Sequence, residues 1–238
     1  MQSTSSPTAP HLPTPNLSHL SSGQDYANVY EPAEDSFLLL DALEADQSLL
    51  LETVRPQLCL EVGSGSGVVS TFLAGQVLRT DSPPTDYNST ATLYVATDIN
   101  PDAARATRKT WLQNGLPDHS LQLVNTRFTE GFHPRFCGTF DVVVFNPPYV
   151  VTDPAEVGSH SIAAAWAGGI DGREVIDQFL PMIPTLLSPR GVCYLVLIAQ
   201  NRPDEVVSIM ETHGLRGEIV ARRKAGIEYL SIARFSWP

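Results

Sequence analysis

Positive charge is scarce in this chain. Its 238 residues carry 15 Lys and Arg against 26 Asp and Glu, a formal net charge of −11, and Arg222-Arg223-Lys224 is the only compact basic cluster. A protein that grips a phosphate backbone draws most of its non-specific affinity from Lys and Arg, so nucleic acid is a disfavoured partner. Cysteine is scarce too. Cys59, Cys137 and Cys193 lie far apart with no CxxC spacing, which argues against a disulfide framework and against a thiolate metal site. Cys59 and Cys193 sit in apolar runs and read as reduced core thiols of a cytoplasmic or nuclear protein. No apolar run is long enough to span a bilayer, and the N-terminus lacks the basic and apolar regions of a signal peptide. The length and a hydrophobic content of 42% suit one large α/β domain with a substantial core.

Residues 1–24 are rich in Ser, Thr and Pro with little to bury, and are expected to form a disordered tail ahead of a domain over 25–238. Pro32 stands at the start of a helix through Leu38–Leu43. Strands are expected over Leu58–Val62, Leu93–Thr97, Leu121–Val124, Phe140–Phe145, Gly191–Ile198, Ile219–Arg222 and Tyr229–Phe235. Helical spacing separates most of them, over Val68–Leu78, Pro101–Asn114, Glu174–Leu187 with breaks at Pro181 and Pro184, and Pro203–His213. Residues 79–92 read as a surface insertion, and Lys224-Ala225-Gly226 as the turn of a final hairpin. There are no internal repeats. The sum is a doubly wound, seven-stranded, mainly parallel sheet with an antiparallel last strand, and its ligand crevice should lie beyond the carboxyl ends of the strands.

Three motifs fall on that edge. Gly63-Ser64-Gly65-Ser66-Gly67 follows the first strand and opens a helix, the place for a cofactor cradle. A dinucleotide fingerprint would put its third glycine at position 68; here it comes one residue early and Val68 stands there, which favours S-adenosylmethionine over a nicotinamide cofactor. Asp98 ends the second strand, where an acid can accept both ribose hydroxyls, while Asn100 before Pro101 caps the next helix. Asn146-Pro147-Pro148-Tyr149 ends the fourth strand. Its prolines leave few conformations, so the Asn146 side-chain oxygen and the Pro147 carbonyl form a stiff shelf that can accept from one planar NH2 group, beside an aromatic wall from Tyr149. That chemistry suits an amide or a nucleobase amine. The glycine-rich stretch 150–172 behind it reads as a substrate-facing lid.

The set Tyr30-Glu31-Pro32-Ala33-Glu34-Asp35, Glu61-Val62-Gly63-Ser64-Gly65-Ser66-Gly67, Asp98-Ile99-Asn100-Pro101 and Asn146-Pro147-Pro148-Tyr149 resembles the HemK-like class I (Rossmann-like) methyltransferases, and most of all their eukaryotic branch. Gly158-Ser159-His160 and Ala165-Trp166-Ala167-Gly168-Gly169 are similar to that branch as well, and the likeness runs from about Val29 to the C-terminus. The resemblance implies methyl transfer from S-adenosylmethionine to the side-chain amide nitrogen of the glutamine in the Gly-Gly-Gln motif of the class I peptide-chain release factor. It implies a small zinc-binding activator subunit in a heterodimer, covering a sheet edge for which Leu121–Val124 is the exposed candidate. Carried over by position, Ser36, Glu61, Gly63, Gly65 and Asp98 match cofactor contacts, Asn146 holds the target amide, and Pro147, Pro148 and Tyr149 complete the substrate shelf. One position departs: Thr126 stands where the family usually has an acid for the adenine amino group, so a charge-assisted bond is lost. Alternatives are an adenine N6 methyltransferase on nucleic acid, a lysine or small-molecule methyltransferase, and a cofactor-binding regulatory subunit without catalysis.

Overall fold

The computed structural model describes residues 11–20, 25–79, 92–132, 134–157 and 165–238. Among them seven strands form one sheet, in the order β3-β2-β1-β4-β5-β7-β6. The strands are β1 (Leu58–Val62), β2 (Leu93–Asp98), β3 (Leu121–Asn125), β4 (Phe140–Phe145), β5 (Leu187–Ile198), β6 (Arg216–Ala225) and β7 (Glu228–Ser236). β1 to β5 pair in parallel, and β7 runs antiparallel between β5 and β6. The arrangement is the doubly wound sheet expected from the sequence. Every residue of β4 is buried, as a central parallel strand of Val and Phe must be when helices cover both faces.

The helices are α1 (Glu34–Ala45), α2 (Val68–Phe72), α3 (Pro101–Gln113), α4 (Glu174–Phe179), α5 (Ile183–Leu186) and α6 (Pro203–Thr212). Arg222 reaches Asp204 of α6, whereas Arg223 pairs with Glu34 and Asp41 of α1. Consecutive strand residues point to opposite faces, so α1 and α6 cover opposite sides of β6. Leu39, Leu43, Phe72, Trp111, Phe179, Tyr194 and Phe235 are fully buried in the core between helices and sheet. Asn100 caps α3, its Oδ1 accepting from Asp102 N at 2.9 Å, as the Asn-Pro pair predicts.

Some boundaries differ from the expectation. The stretch Glu174–Leu187 is α4, a tight turn over Leu180–Met182 and α5, because Pro181 and Pro184 have no N–H to continue the ladder. β5 starts at Leu187 rather than Gly191, taking in the exposed Pro189 and Arg190. Residues 11–20, read from composition as tail, lie against the domain. Leu20 is buried with Val29, Ala103 and Ala106, Leu12 N donates to Glu44, and Asn16 and Asn114 exchange two hydrogen bonds. Leu12, Leu17 and Leu20 are apolar anchors that a Ser/Thr/Pro average hides. Residues 1–10, 21–24 and 80–91 of the expected tail and insertion, and the Gly158-Ser159-His160 motif, lie outside the described residues.

At the amino edge of the sheet one buried acid ties three strands together. Asp141 accepts from Gln57 N and Leu58 N ahead of and in β1, and from the Ser188 hydroxyl and Arg190 Nε of β5. Burial pushes its carboxyl up, but these donors outweigh burial and hold it below the usual range.

Candidate active site

The carboxyl ends of β1, β2 and β4 open into one cavity, and every residue singled out from the motifs lines it: Ser36, Glu61, Gly63, Gly65, Asp98, Thr126, Asn146, Pro147, Pro148 and Tyr149. Its lining runs from the glycine loop after β1 and Asp98 at the end of β2 to the Asn146 shelf at the end of β4.

At the shelf, the side chain that fixes the geometry is one to which the motif reading assigned no role. Asp35, in the first turn of α1, is buried. Its Oδ2 accepts from Asn146 Nδ2 at 2.9 Å and from the Tyr149 hydroxyl at 3.0 Å. Its Oδ1 accepts from Ser36 N at 2.7 Å, and the Tyr30 hydroxyl lies 3.3 Å from both oxygens. A carboxylate only accepts, so the atom of Asn146 facing it must be the amide nitrogen. The carboxamide is thereby locked one way round, and its oxygen is turned the other way. Oδ1 of Asn146 is buried and has no hydrogen-bond partner among the described residues. A buried acceptor in that state costs about 1–3 kcal/mol unless a ligand donor completes it. Burial, then the Asp35 charge, push both the Tyr30 and the Tyr149 hydroxyls well up, so both remain donors to the carboxylate. Tyr149 is thus a positioning partner as well as a wall. The signal in the sequence was the Tyr30 to Asp35 motif itself, whose use depends on a contact 111 residues away.

The loop behind the shelf is pinned at its base. Val150 N donates to Trp166 O at 3.0 Å and Gly168 N to Val150 O at 2.8 Å, forming a short parallel bridge to Ala167. Gly172 has φ +64°, and a Cβ there would sit 1.9 Å from the Tyr149 carbonyl, so only glycine allows this close approach. Asn201 closes the contact, its Nδ2 donating to Tyr149 O at 3.0 Å and Asp171 O at 2.9 Å. Val150, Val157, Ala165 and Trp166 line the cavity from this loop.

At the other end, Asp98 Oδ2 accepts from Gly65 N at 2.9 Å and Oδ1 from Asn100 N at 2.8 Å. These bonds aim the carboxylate and leave each oxygen a lone pair for a hydroxyl. Burial still raises the Asp98 carboxyl above its usual range. Glu61 accepts from Ser70 N and the Ser70 hydroxyl, and burial pushes its carboxyl up to about 8. A carboxyl in that state favours a positively charged ligand, which would restore its ionised form. The third glycine of the loop has another use: a Cβ on Gly67 would lie 2.6 Å from Thr107 Cα, so Gly67 allows α3 to pack against the loop. Thr126 Oγ1 accepts from Gly131 N at 3.0 Å and its hydroxyl donates to Arg127 O at 3.5 Å, which leaves one lone pair to accept from a ligand. Ile99, Ala103 and Phe128 supply apolar walls beside it.

No family model matches the chain. The methyltransferase HEMK2 of Mus musculus is 50% identical over 228 residues, covering 96% of this chain and 98% of that protein. The eRF1 methyltransferase catalytic subunit mtq2 of Schizosaccharomyces pombe is 38% identical over 231 residues, covering 94% of this chain and 95% of that one. Among solved structures, the E. cuniculi Mtq2-Trm112 complex, responsible for methylation of the eRF1 translation termination factor, matches with a TM-score of 0.62 and 29% identity over 88% of this chain and 99% of that chain. With a TM-score of 0.62 to that complex and this identity along nearly its whole length, the chain is a methyltransferase that belongs to the HemK-like family of release factor glutamine methyltransferases.

Proposed function

We propose that the enzyme transfers a methyl group from S-adenosylmethionine to the side-chain amide nitrogen of a protein glutamine, and that its acceptor is the Gly-Gly-Gln glutamine of the eukaryotic class I release factor. The observation that carries this reading is the buried Asn146 Oδ1, without a partner among the described residues and turned away from Asp35 by the bond to Nδ2. A primary amide supplies the donor that this acceptor lacks, and the Pro147 carbonyl supplies the second acceptor for the same NH2.

The residues fit the cofactor. Glu61 suits its cationic amino-acid end, the Gly63 to Gly65 backbone its close approach, Asp98 its ribose, and Thr126 with Phe128 its adenine, while Ser36 sits at the start of α1 beside Asp35. When bound, S-adenosylmethionine supplies a methyl group already activated by its sulfonium charge. An amide nitrogen is a poor nucleophile because its lone pair is delocalised into the carbonyl. Asn146 and Pro147 orient that nitrogen, and their two oxygens favour the positive charge that builds on it as it is alkylated. Asp35 places a full negative charge directly behind Asn146, which polarises the carboxamide toward its free oxygen. Tyr149 and Tyr30 hold Asp35 in turn. No group at the shelf must remove a proton before the bond forms; the amide proton becomes acidic only once nitrogen carries the charge.

The names of the relatives support the acceptor and the presence of a partner subunit; in this reading that partner is the small zinc-binding activator that the family resemblance implies, and the edge strand β3 is where it would sit to form the heterodimer. Among the described residues no helix is long and apolar enough to cross a membrane. The test is mass spectrometry of recombinant release factor, of an adenine-containing oligonucleotide and of a lysine-bearing protein after incubation with isotope-labelled S-adenosylmethionine, with and without the activator. One labelled methyl on the Gly-Gly-Gln glutamine is expected, and label on adenine or lysine alone would overturn the assignment.

A further inference from the structure

Helix α3 is gripped from two directions. Ala103, Ala106, Thr107 and Thr110 recur at helical spacing and share one stripe, with Asn114 just past its end. From one direction the stripe meets the glycine loop: Thr107 Oγ1 donates to Ser64 Oγ at 2.8 Å, and Thr110 Oγ1 to Ser66 O at 2.6 Å. From the other it meets the amino-terminal residues. Asn16 and Asn114 exchange two hydrogen bonds, His19 Nε2 lies 3.0 Å from Thr110 Oγ1, and Leu20 is buried with Val29 against Ala103 and Ala106. Asp25 accepts from Lys109 at 3.1 Å, and Asn28 O from Asn100 Nδ2 at 2.6 Å. These contacts run back along α3 from its end to its start. The last is at Asn28, which lines the cofactor cavity together with Val29 and Tyr30.

At Thr110 the two sets of contacts meet, and the donors can be assigned. The Ser66 carbonyl only accepts, so the Thr110 hydroxyl spends its one proton there. Its oxygen can then only accept from His19, which fixes the ring proton on Nε2. Nδ1 of His19 is buried with no hydrogen-bond partner among the described residues, where a second ring proton would find no acceptor. Burial, aided by Lys109 and opposed by Asp25, holds the ring below its usual range, so it is neutral at pH 7. One chain of bonds thus leads from the His19 N–H through the buried Thr110 hydroxyl to the loop between β1 and α2.

We propose that residues 11–20 are a strap that holds the cofactor end of the site in its binding shape, with His19 a positioning residue for S-adenosylmethionine that acts on the glycine loop through Thr110. The inference rests on the cofactor reading of the adjoining cavity. His19 is not among the residues that line that cavity, so it acts at one remove. Its bond turns the Thr110 hydroxyl toward Ser66, and that bond holds the loop whose backbone the cofactor approaches. Leu20 anchors the Val29 wall in the same way, by packing. A segment that only covered apolar surface would need Leu17 and Leu20 but no aimed imidazole.

The test uses the full-length chain with the activator subunit present, and replaces His19 by Ala, Asn and Gln. Gln can bring an N–H close to the Nε2 position, whereas Asn is too short to reach Thr110. Kd for S-adenosylmethionine by calorimetry should rise about fivefold in His19→Ala and His19→Asn, and stay within about twofold of wild type in His19→Gln. KM for the cofactor should follow Kd while kcat holds, the split for lost cofactor binding. Thr110→Val should weaken binding at least as much, and adding His19→Ala to it should cost nothing more, because both cut the same chain of bonds. Equal Kd values for wild type and His19→Ala overturn the proposal. A Gln variant as weak as the Ala variant would reduce the ring to packing, and additive losses in the double variant would separate His19 from Thr110; either result overturns it too. Should the wild type not bind S-adenosylmethionine, the cofactor reading fails instead, and the strap is read from amide hydrogen exchange of residues 64–67 in the ligand-free protein. Exchange about fivefold faster in His19→Ala is expected there, and equal rates overturn the strap.

Discussion

The two ends of the sheet use the same residue types to opposite ends. At the amino edge, Asp141 is buried with four donors around it, and its carboxyl is held below the usual range. At the carboxyl edge, Glu61 and Asp98 keep raised carboxyls, and the Asn146 oxygen is buried without a partner among the described residues. A satisfied polar group ties strands together; an incompletely satisfied one, held rigidly, is a place prepared for a ligand. Asp35 belongs to both kinds, since its own oxygens are filled while it keeps another group's oxygen open.

The comparison breaks most sharply at Asn146. Asn146→Ala should lower kcat for glutamine methylation by about 10³-fold, with melting temperature and S-adenosylmethionine affinity nearly unchanged; turnover near the wild-type rate would remove the residue from the mechanism. Asp141→Ala is its mirror. It should cost about 2–4 kcal/mol in denaturant unfolding while the folded fraction retains its specific activity. Because the Asp141 carboxyl is depressed, its contribution is present above the unfolded pKa and fades as the pH falls through the folded one. Loss of activity without loss of stability there would erase the distinction between the edges.

Three smaller effects sharpen it. Asp98→Ala should weaken S-adenosylmethionine binding by about 10- to 100-fold in calorimetry, the size expected for hydrogen bonds to a charged group. Asp35→Asn offers Asn146 an NH2 as well as an oxygen, so the carboxamide loses its enforced orientation; kcat should fall about tenfold with cofactor affinity retained. Activity equal to wild type in that variant would mean that Asn146 is oriented by something other than Asp35. The least of the five concerns Glu61, whose carboxyl lies at about 8 in the free protein. A cationic ligand binds its ionised form, so binding releases a proton, and affinity should climb from pH 6 to about 8 and then level off. Calorimetry in buffers of different ionisation enthalpy reads that proton, and Glu61→Gln should abolish its release.

Much of this was legible in the chain itself. Phe140–Phe145 is a strand because Val and Phe fill a central pleat, and Asn146-Pro147-Pro148 ends it because proline cannot continue a ladder. The glycine loop, Asp98 and Asn146 fall on one edge because parallel strands bring their carboxyl ends together. The segment 11–20 was not legible in the same way. Its three leucines are diluted by Ser, Thr and Pro, and only the surfaces of α1 and α3 show what they meet.

What the sequence alone determined, then, is the order of strands and helices and the gathering of the candidate-site residues at one edge of the sheet, since these follow from short-range propensity, proline and glycine. Tertiary structure decided which way the Asn146 amide faces. That depends on Asp35, 111 residues earlier, and on Gly172 letting the loop close onto the Tyr149 carbonyl. Both are contacts between distant segments, set by how α1 and the 165–172 loop pack on the end of β4, and no local preference of Asn, Asp or Gly contains them.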